Sequence, residues 1–149
     1  MRGVLTVGGS SRKRGIFSCR AIDDRASGAE KIAELGHGKI AQRDDMNRDF
    51  DDAIAVTGHW TKYGVTYVIP FRSLRTDEVD NLLVAGRCIS VDHRTHHATK
   101  EIPPSMATGE AAGTAAALAV RRGVALADLP IDVLRDELRR AGAIVERPA

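Results

Sequence analysis

The stretch from Asn81 to Ala119 reads NLLVAGRCIS (81–90), VDHRTHHATKE (91–101) and IPPSMATGEAAGTAAALA (102–119). Leu82–Ala85 is an unbroken apolar run ended by Gly86, which suits a strand covered on both faces, as in a parallel sheet. A polar loop with three histidines follows. A long helix is then expected over 104–122, with Pro103 and Pro104 fixing its start and Arg121-Arg122-Gly123 stopping it. Its basic last turn complements the helix dipole. The first turns of that helix are stripped almost entirely to Gly, Ala, Ser and Thr, so backbone can approach something large and flat, or anionic. The turn at Gly86-Arg87 presents a guanidinium at the end of a sheet. Together they read as one half of a nucleotide cofactor site.

Outward from this stretch the signals weaken. The segment RDFDDAIAV (48–56) spaces Phe50 and Ile54 as on one helix face, leaving Asp49, Asp51 and Asp52 to solvent and Gly58 as its stop. Trp60–Tyr67 reads as a loop or hairpin turning at Gly64. VTYVIPFRSL (65–74) alternates like a strand, with Pro70 placing it at an edge or bulge. A last helix is expected over 132–141, capped by Asp132 and Gly142, with Leu134 and Leu138 on its buried face. Toward the N-terminus, Val4–Val7 is a candidate short strand and Ala29–Leu35 a candidate short helix. Gly8-Gly9-Ser10-Ser11 reads as a plain turn. A phosphate loop there would need a GxGxxG spacing or a Walker lysine before Ser or Thr, and neither is present.

Bulk properties narrow the class. A chain of 149 residues, 43% hydrophobic and 28% charged, is sized for one ordinary domain with its own core. The net charge of +2 makes no demand for nucleic acid, and Arg12-Lys13-Arg14 lacks interleaved aromatics. No signal peptide is expected, because no apolar core follows the basic N-terminus, and no membrane span, because the longest apolar segment, Ala111–Val120, is too short and is interrupted by Gly113 and Thr114. Gly109 and Gly113 form a GxxxG that reads as tight packing in a core. Cys19 and Cys88 are the only cysteines, and Cys88 reads as a buried reduced thiol at a strand end. A cytoplasmic protein follows by default.

Asp80 to Ile144 resembles the C-terminal end of FAD-dependent oxidoreductases, nearest in character to the fumarate reductase flavoproteins and the FAD subunit of heterodisulfide reductases. VDNLLVAGRCIS, the histidine loop ending in Pro103, MATGEAAGTAAALA and LPIDVLRDELRRAGAIV carry the likeness. It extends back to DDAIA (51–55), expected as helix, and to the IPFRSL strand (69–74). The resemblance implies an α/β fold, namely a partial, Rossmann-like FAD-binding domain. Residues 48–149 would form that part, and 1–47 a poorly defined segment, a remnant of the substrate or cap region.

By the same likeness, Gly86 and Arg87 would contact the pyrophosphate and ribitol of FAD. Gly109, Ala111, Ala112, Gly113 and Thr114 would lie near the pyrimidine edge of the flavin. A helix N-terminus with unpaired N–H groups stabilises the negative charge that a reduced flavin gathers there. Arginine forks onto phosphate more specifically than lysine. Alternatives remain at this stage: close helix packing for the glycines, and a surface salt bridge for Arg87.

His93, His96 and His97, beside Asp92 and Cys88, raise the question of a metal. No second Cys/His pair stands out, so none is assigned. The resemblance instead puts His93 and His96 on the active-site side of the flavin, where a histidine can shuttle a proton. Lys100 stands where relatives often carry arginine, which puts a transferred substrate role for that position in doubt. Arg72 and His59-Trp60 read as substrate-facing residues or, more plainly, as a snorkelling edge arginine and a core tryptophan.

The main departure from the family is the absence of a strand–GxGxxG–helix between Met1 and Phe50. The chain therefore reads as the C-terminal piece of an enzyme acting on a small organic substrate, completed by a partner chain that supplies the dinucleotide-binding half. The alternative is a non-catalytic remnant or interaction module that binds no FAD alone. Two separated cysteines cannot hold the iron–sulfur cluster some relatives carry.

Overall fold

A computed structural model describes residues 4–6, 45–59, 61–75 and 79–147, without the side chains of 4–6, 93 and 94. Among the described residues, two small antiparallel sheets and two α-helices contribute to one core and a third, short α-helix lies beside them, making a mixed α/β unit. Strand β1 (Val4–Thr6) pairs with β4 (Leu82–Val84), Leu5 opposite Leu83. Strands β2 (Ala53–Gly58) and β3 (Thr66–Pro70) form a hairpin with Thr57 opposite Tyr67 and an irregularity between Ala53 and Ala55. An isolated bridge from Arg75 to Leu83 joins the far end of the hairpin segment to β4. The helices are α1 (His93–Thr99), α2 (Ile102–Arg122) and α3 (Ile131–Arg140).

Several expectations change. DDAIA does not form a helix: Ala53–Gly58 is the first strand of the hairpin. The i,i+4 spacing of Phe50 and Ile54 suits a helix, but Ile54, Val56 and Thr57 are β-branched, and Val56 and Thr57 pair with Val68 and Tyr67 of the partner strand. The hairpin turns where expected, with Gly64 at φ 74°. The β3 strand stops at Pro70 and tightens into a 3-10 turn over Phe71–Leu74, so the expected strand over 65–74 is half strand and half turn.

The apolar run at Leu82 meets an antiparallel neighbour among the described residues, not a parallel one. The histidine loop is in fact α1. Asp92 caps it, its Oδ1 accepting from the Thr95 amide at 2.6 Å. Cys88 is half-buried in a 3-10 turn (Gly86–Cys88) and is disulfide-bonded, so the reduced buried thiol is corrected. Cys19, the segment Gly8–Ser11, the candidate helix Ala29–Leu35 and Trp60 lie outside the described residues.

Helix α2 organises the core. Ala111, Ala112, Ala115 and Ala119 bury its inner face, and together with Leu118 they join Ile54, Ala55, Ile69, Leu83, Leu134 and Leu138 in one cluster. Small side chains on the helix let its backbone sit close to the neighbouring elements. Gly123, at φ 66°, caps the C-terminus. The amide of Val124 reaches back to the Ala119 carbonyl at 3.1 Å, a Schellman-type closure. Helix α3 begins at Ile131 after Pro130, one residue before the expected cap, and buries Leu134 and Leu138 as anticipated.

The C-terminus is tied back by charge. Arg147 forks onto both carboxylate oxygens of Asp49 at 2.8 and 2.7 Å, and Glu146 receives Arg135 at 2.8 Å and also Arg139. Hydrogen bonding to Arg147 holds the Asp49 carboxyl below its usual range, and Arg139 does the same for Glu146. Among the described residues, no helix is long and apolar enough to cross a membrane.

Candidate cofactor site

The junction between β4 and the first turns of α2 gathers the predicted residues. Gly86 sits at φ 72°, a conformation glycine adopts without the Cβ penalty. Its amide donates to Thr108 Oγ1 at 2.9 Å, while that hydroxyl donates back to the Pro104 carbonyl at 2.8 Å. Thr108 is fully buried. A Cβ on Gly86 would lie 3.8 Å from the Ser105 Cβ, so the turn rests directly on the helix start. Arg87 is exposed, and its Nε donates to the Lys100 carbonyl at 3.0 Å, fastening the turn to the α1–α2 junction. Gly86, Arg87, Lys100, Ser105 and Thr108 thus form one connected unit. Sequence reading missed Thr108 and Ser105. The available signal was a threonine inside a helix, a residue type that bonds back to the i−4 carbonyl.

The five small residues assigned to the flavin edge divide. Gly109 and Gly113 are half-exposed, and beyond the neighbouring residues and backbone of α2 itself no atom of a described residue lies within 4 Å of where a Cβ would stand on either. The core-packing expectation for this GxxxG is therefore corrected. Ala111 and Ala112 face the core, at 0% and 1% exposure, and Thr114 stands half-buried on the flank.

The amide argument also changes. The small-residue stretch lies in the second to fourth turns of α2, where N–H groups belong to the helix ladder. At the actual start, Pro103 and Pro104 have no N–H, and Ser105 donates to the Glu101 carbonyl at 3.1 Å. What Gly109 and Gly113 offer is close backbone approach, with few free donors nearby.

Around this unit, His93 opens α1 as its first residue; His96 is half-buried, His97 exposed, and Lys100 caps the helix. No group of three or more His, Cys, Asp or Glu residues is placed to hold a metal among the described residues. Arg72 is engaged within the fold. Its amide donates to Asp52 Oδ2 at 3.1 Å, its guanidinium pairs with Oδ1, and it lies 4.7 Å over the Phe50 ring. His59 Nδ1 receives the Thr61 amide at 3.2 Å. A separate cleft of about 480 Å³ between Arg75, Asn81, Leu126 and Asp128 contains none of the predicted site residues.

The described residues thus form a mixed α/β unit in which a strand end is fastened to the first turns of a long helix. Residues 42–138 match the family model described as FAD dependent oxidoreductase, and the chain belongs to that family. No curated protein and no solved structure matches it.

Proposed function

We propose that this chain supplies the flavin- and pyrophosphate-facing half of an FAD site in an oxidoreductase that moves a hydride between flavin and a small organic substrate. The observation that carries this reading is the open, side-chain-free surface at Gly109 and Gly113, on the same helix whose start holds the Gly86-Arg87 turn. A planar ring system needs backbone without Cβ atoms in its way. Arg87 is anchored through Nε, and its two terminal nitrogens make no bond to another described residue, which suits a fork onto phosphate.

In this reading Gly86, Arg87, Gly109, Gly113 and Thr114 hold the cofactor; Ala111 and Ala112 shape the helix from its buried side. Bound flavin supplies the hydride chemistry. His93 and His96 on α1 exchange protons with substrate, and Lys100 positions Arg87 through its carbonyl. A partner chain with a dinucleotide-binding fold adds contacts to the ADP half and tightens a binding that this chain already provides. Likeness of VDNLLVAGRCIS to the fumarate reductase and heterodisulfide reductase flavoproteins supports a relative of that type.

The test is flavin recovery. Purified chain, incubated with FAD and freed of excess, should retain flavin absorbance and release flavin fluorescence on denaturation. A colourless preparation that never retains FAD would favour the non-catalytic interaction module.

A further inference from the structure

Helix α1 is held to the body of the fold differently from the other two helices. Its sequence, HRTHHAT, has one apolar side chain, Ala98, and its buried face is Thr95, Ala98 and Thr99. None of these joins the apolar cluster that takes in Ala111, Leu118, Leu134 and Leu138. A helix of seven residues is also well short of the about 12–15 at which an isolated helix becomes even marginal in water.

Polar bonds at its two ends tie it down. Asp92 caps the start through the Thr95 amide. At the other end, Thr57 Oγ1 of β2 donates to the Ala98 carbonyl at 3.3 Å, and Arg87 Nε donates to the Lys100 carbonyl at 3.0 Å. The Thr57 bond is long for a hydroxyl and is shared with the Gly58 carbonyl at 3.5 Å. Thr99 turns its hydroxyl back onto the Thr95 carbonyl, within the helix itself. An element with so little apolar burial opens locally, at a fraction of the cost of unfolding the whole chain.

Arg87 is the tie that a ligand can reach. It is exposed, and its terminal nitrogens make no bond to another described residue. A planar guanidinium donates along more than one edge, so one arginine can hold a carbonyl and a phosphate together. Making the Lys100 bond costs an exposed arginine its rotamer freedom. Phosphate on the terminal nitrogens fixes the same side chain, and the Lys100 bond then forms at little further cost. A ligand that favours the closed helix is itself bound more tightly by the closed helix, by an equal factor.

We propose that α1 opens on its own from the folded chain, latched by Arg87, and that cofactor pyrophosphate held by Arg87 closes the latch. The latch needs no cofactor; its closing rests on the flavin reading. His93 and His96 lie on α1, so cofactor binding sets firmly in place the two histidines assigned to proton exchange.

Hydrogen–deuterium exchange tests both parts. In the FAD-free chain, amides 96–100 should be protected about tenfold less, or lower still, than amides 112–119 of α2. Leu134→Ala, in the common core, should lower protection in α2 and leave α1 as it was. Arg87→Ala and Thr57→Val should each lower α1 protection several-fold. Saturating FAD should slow α1 exchange several-fold in wild type and by the same factor in Thr57→Val, because Thr57 touches α1 and not the phosphate. In Arg87→Ala, with FAD raised until flavin fluorescence shows it bound, the slowing should be lost. Protection of α1 that equals that of α2, or that falls with it in Leu134→Ala, would overturn the local opening. Unchanged α1 exchange in FAD-free Arg87→Ala would overturn the latch. Bound FAD without slower α1 exchange, or slowing that survives in Arg87→Ala, would overturn the coupling and leave the flavin reading standing. A chain that binds no FAD would strike the flavin reading and the closing of the latch with it, while the FAD-free exchange still decides the latch itself.

Discussion

The amide of Gly86 is held 2.9 Å from the hydroxyl of Thr108, and this one bond fixes the end of β4 onto the second turn of α2. Twenty-two residues of sequence separate the two. Replacing Thr108 with valine keeps the volume and removes the acceptor, leaving the Gly86 amide without a partner. Such a loss costs about 1–3 kcal/mol. Urea unfolding of Thr108→Val should show that loss with an unchanged slope; wild-type stability would mean the turn is not anchored there.

Gly86 itself is required by backbone conformation more than by space. A methyl group would sit 3.8 Å from Ser105, an ordinary contact, yet φ is 72°. Gly86→Ala should therefore destabilise by about 1–2 kcal/mol, the cost of a left-handed alanine. Gly86→Asn, better tolerated in that region, should recover part of it.

Leu134 on α3 is fully buried in the common core. Leu134→Ala should cost about 2–5 kcal/mol in chemical denaturation, depending on how far the cavity collapses. A smaller loss would place α3 outside the cooperative unit.

The C-terminal charges respond to acid in a defined direction. Arg147 lowers the Asp49 carboxyl and Arg139 lowers the Glu146 carboxyl in the folded chain. Groups depressed in this way contribute stability above their unfolded values, about 3.9 and 4.3. That contribution is lost as pH falls through the lower folded values. Both carboxylates are exposed, so the effect is small and fades with salt. Carboxyl NMR titration should place both midpoints below the ordinary values, and Arg147→Ala should return Asp49 to its own. Midpoints at or above the ordinary values would remove the clamp.

How far the sequence led can be judged from individual elements. The long helix was legible because Pro103-Pro104 and Gly123 bracket an apolar repeat, and α3 because Leu134, Leu138 and Gly142 repeat that logic. The Gly64 turn was legible for its conformation. Strand β2 was misread because its few residues fit two periods, and only pairing with Thr66–Pro70 decides between them. Helix α1 was misread as a loop because three histidines obscured the cap at Asp92. Within the candidate site, Gly86, Arg87 and Lys100 are brought together as one unit. The side of α2 to which each small residue points was not legible. That depends on which face the core takes, and a run of alanines and glycines carries little contrast between faces.

A single titration puts the open face of α2 beside the Gly86-Arg87 turn to the test. FAD binding is followed by flavin fluorescence for wild type, Arg87→Ala and Gly113→Leu, with unfolding midpoints measured in parallel. Gly113 has open space around it and leucine favours helix by up to about 1 kcal/mol over glycine, so Gly113→Leu should be at least as stable as wild type. Wild type should bind FAD, both substitutions should weaken binding tenfold or more, Gly113→Leu should keep its midpoint, and Arg87→Ala should stay folded with only the small loss that its bond to the Lys100 carbonyl represents. Equal FAD affinity in all three proteins would rule out a flavin on that face.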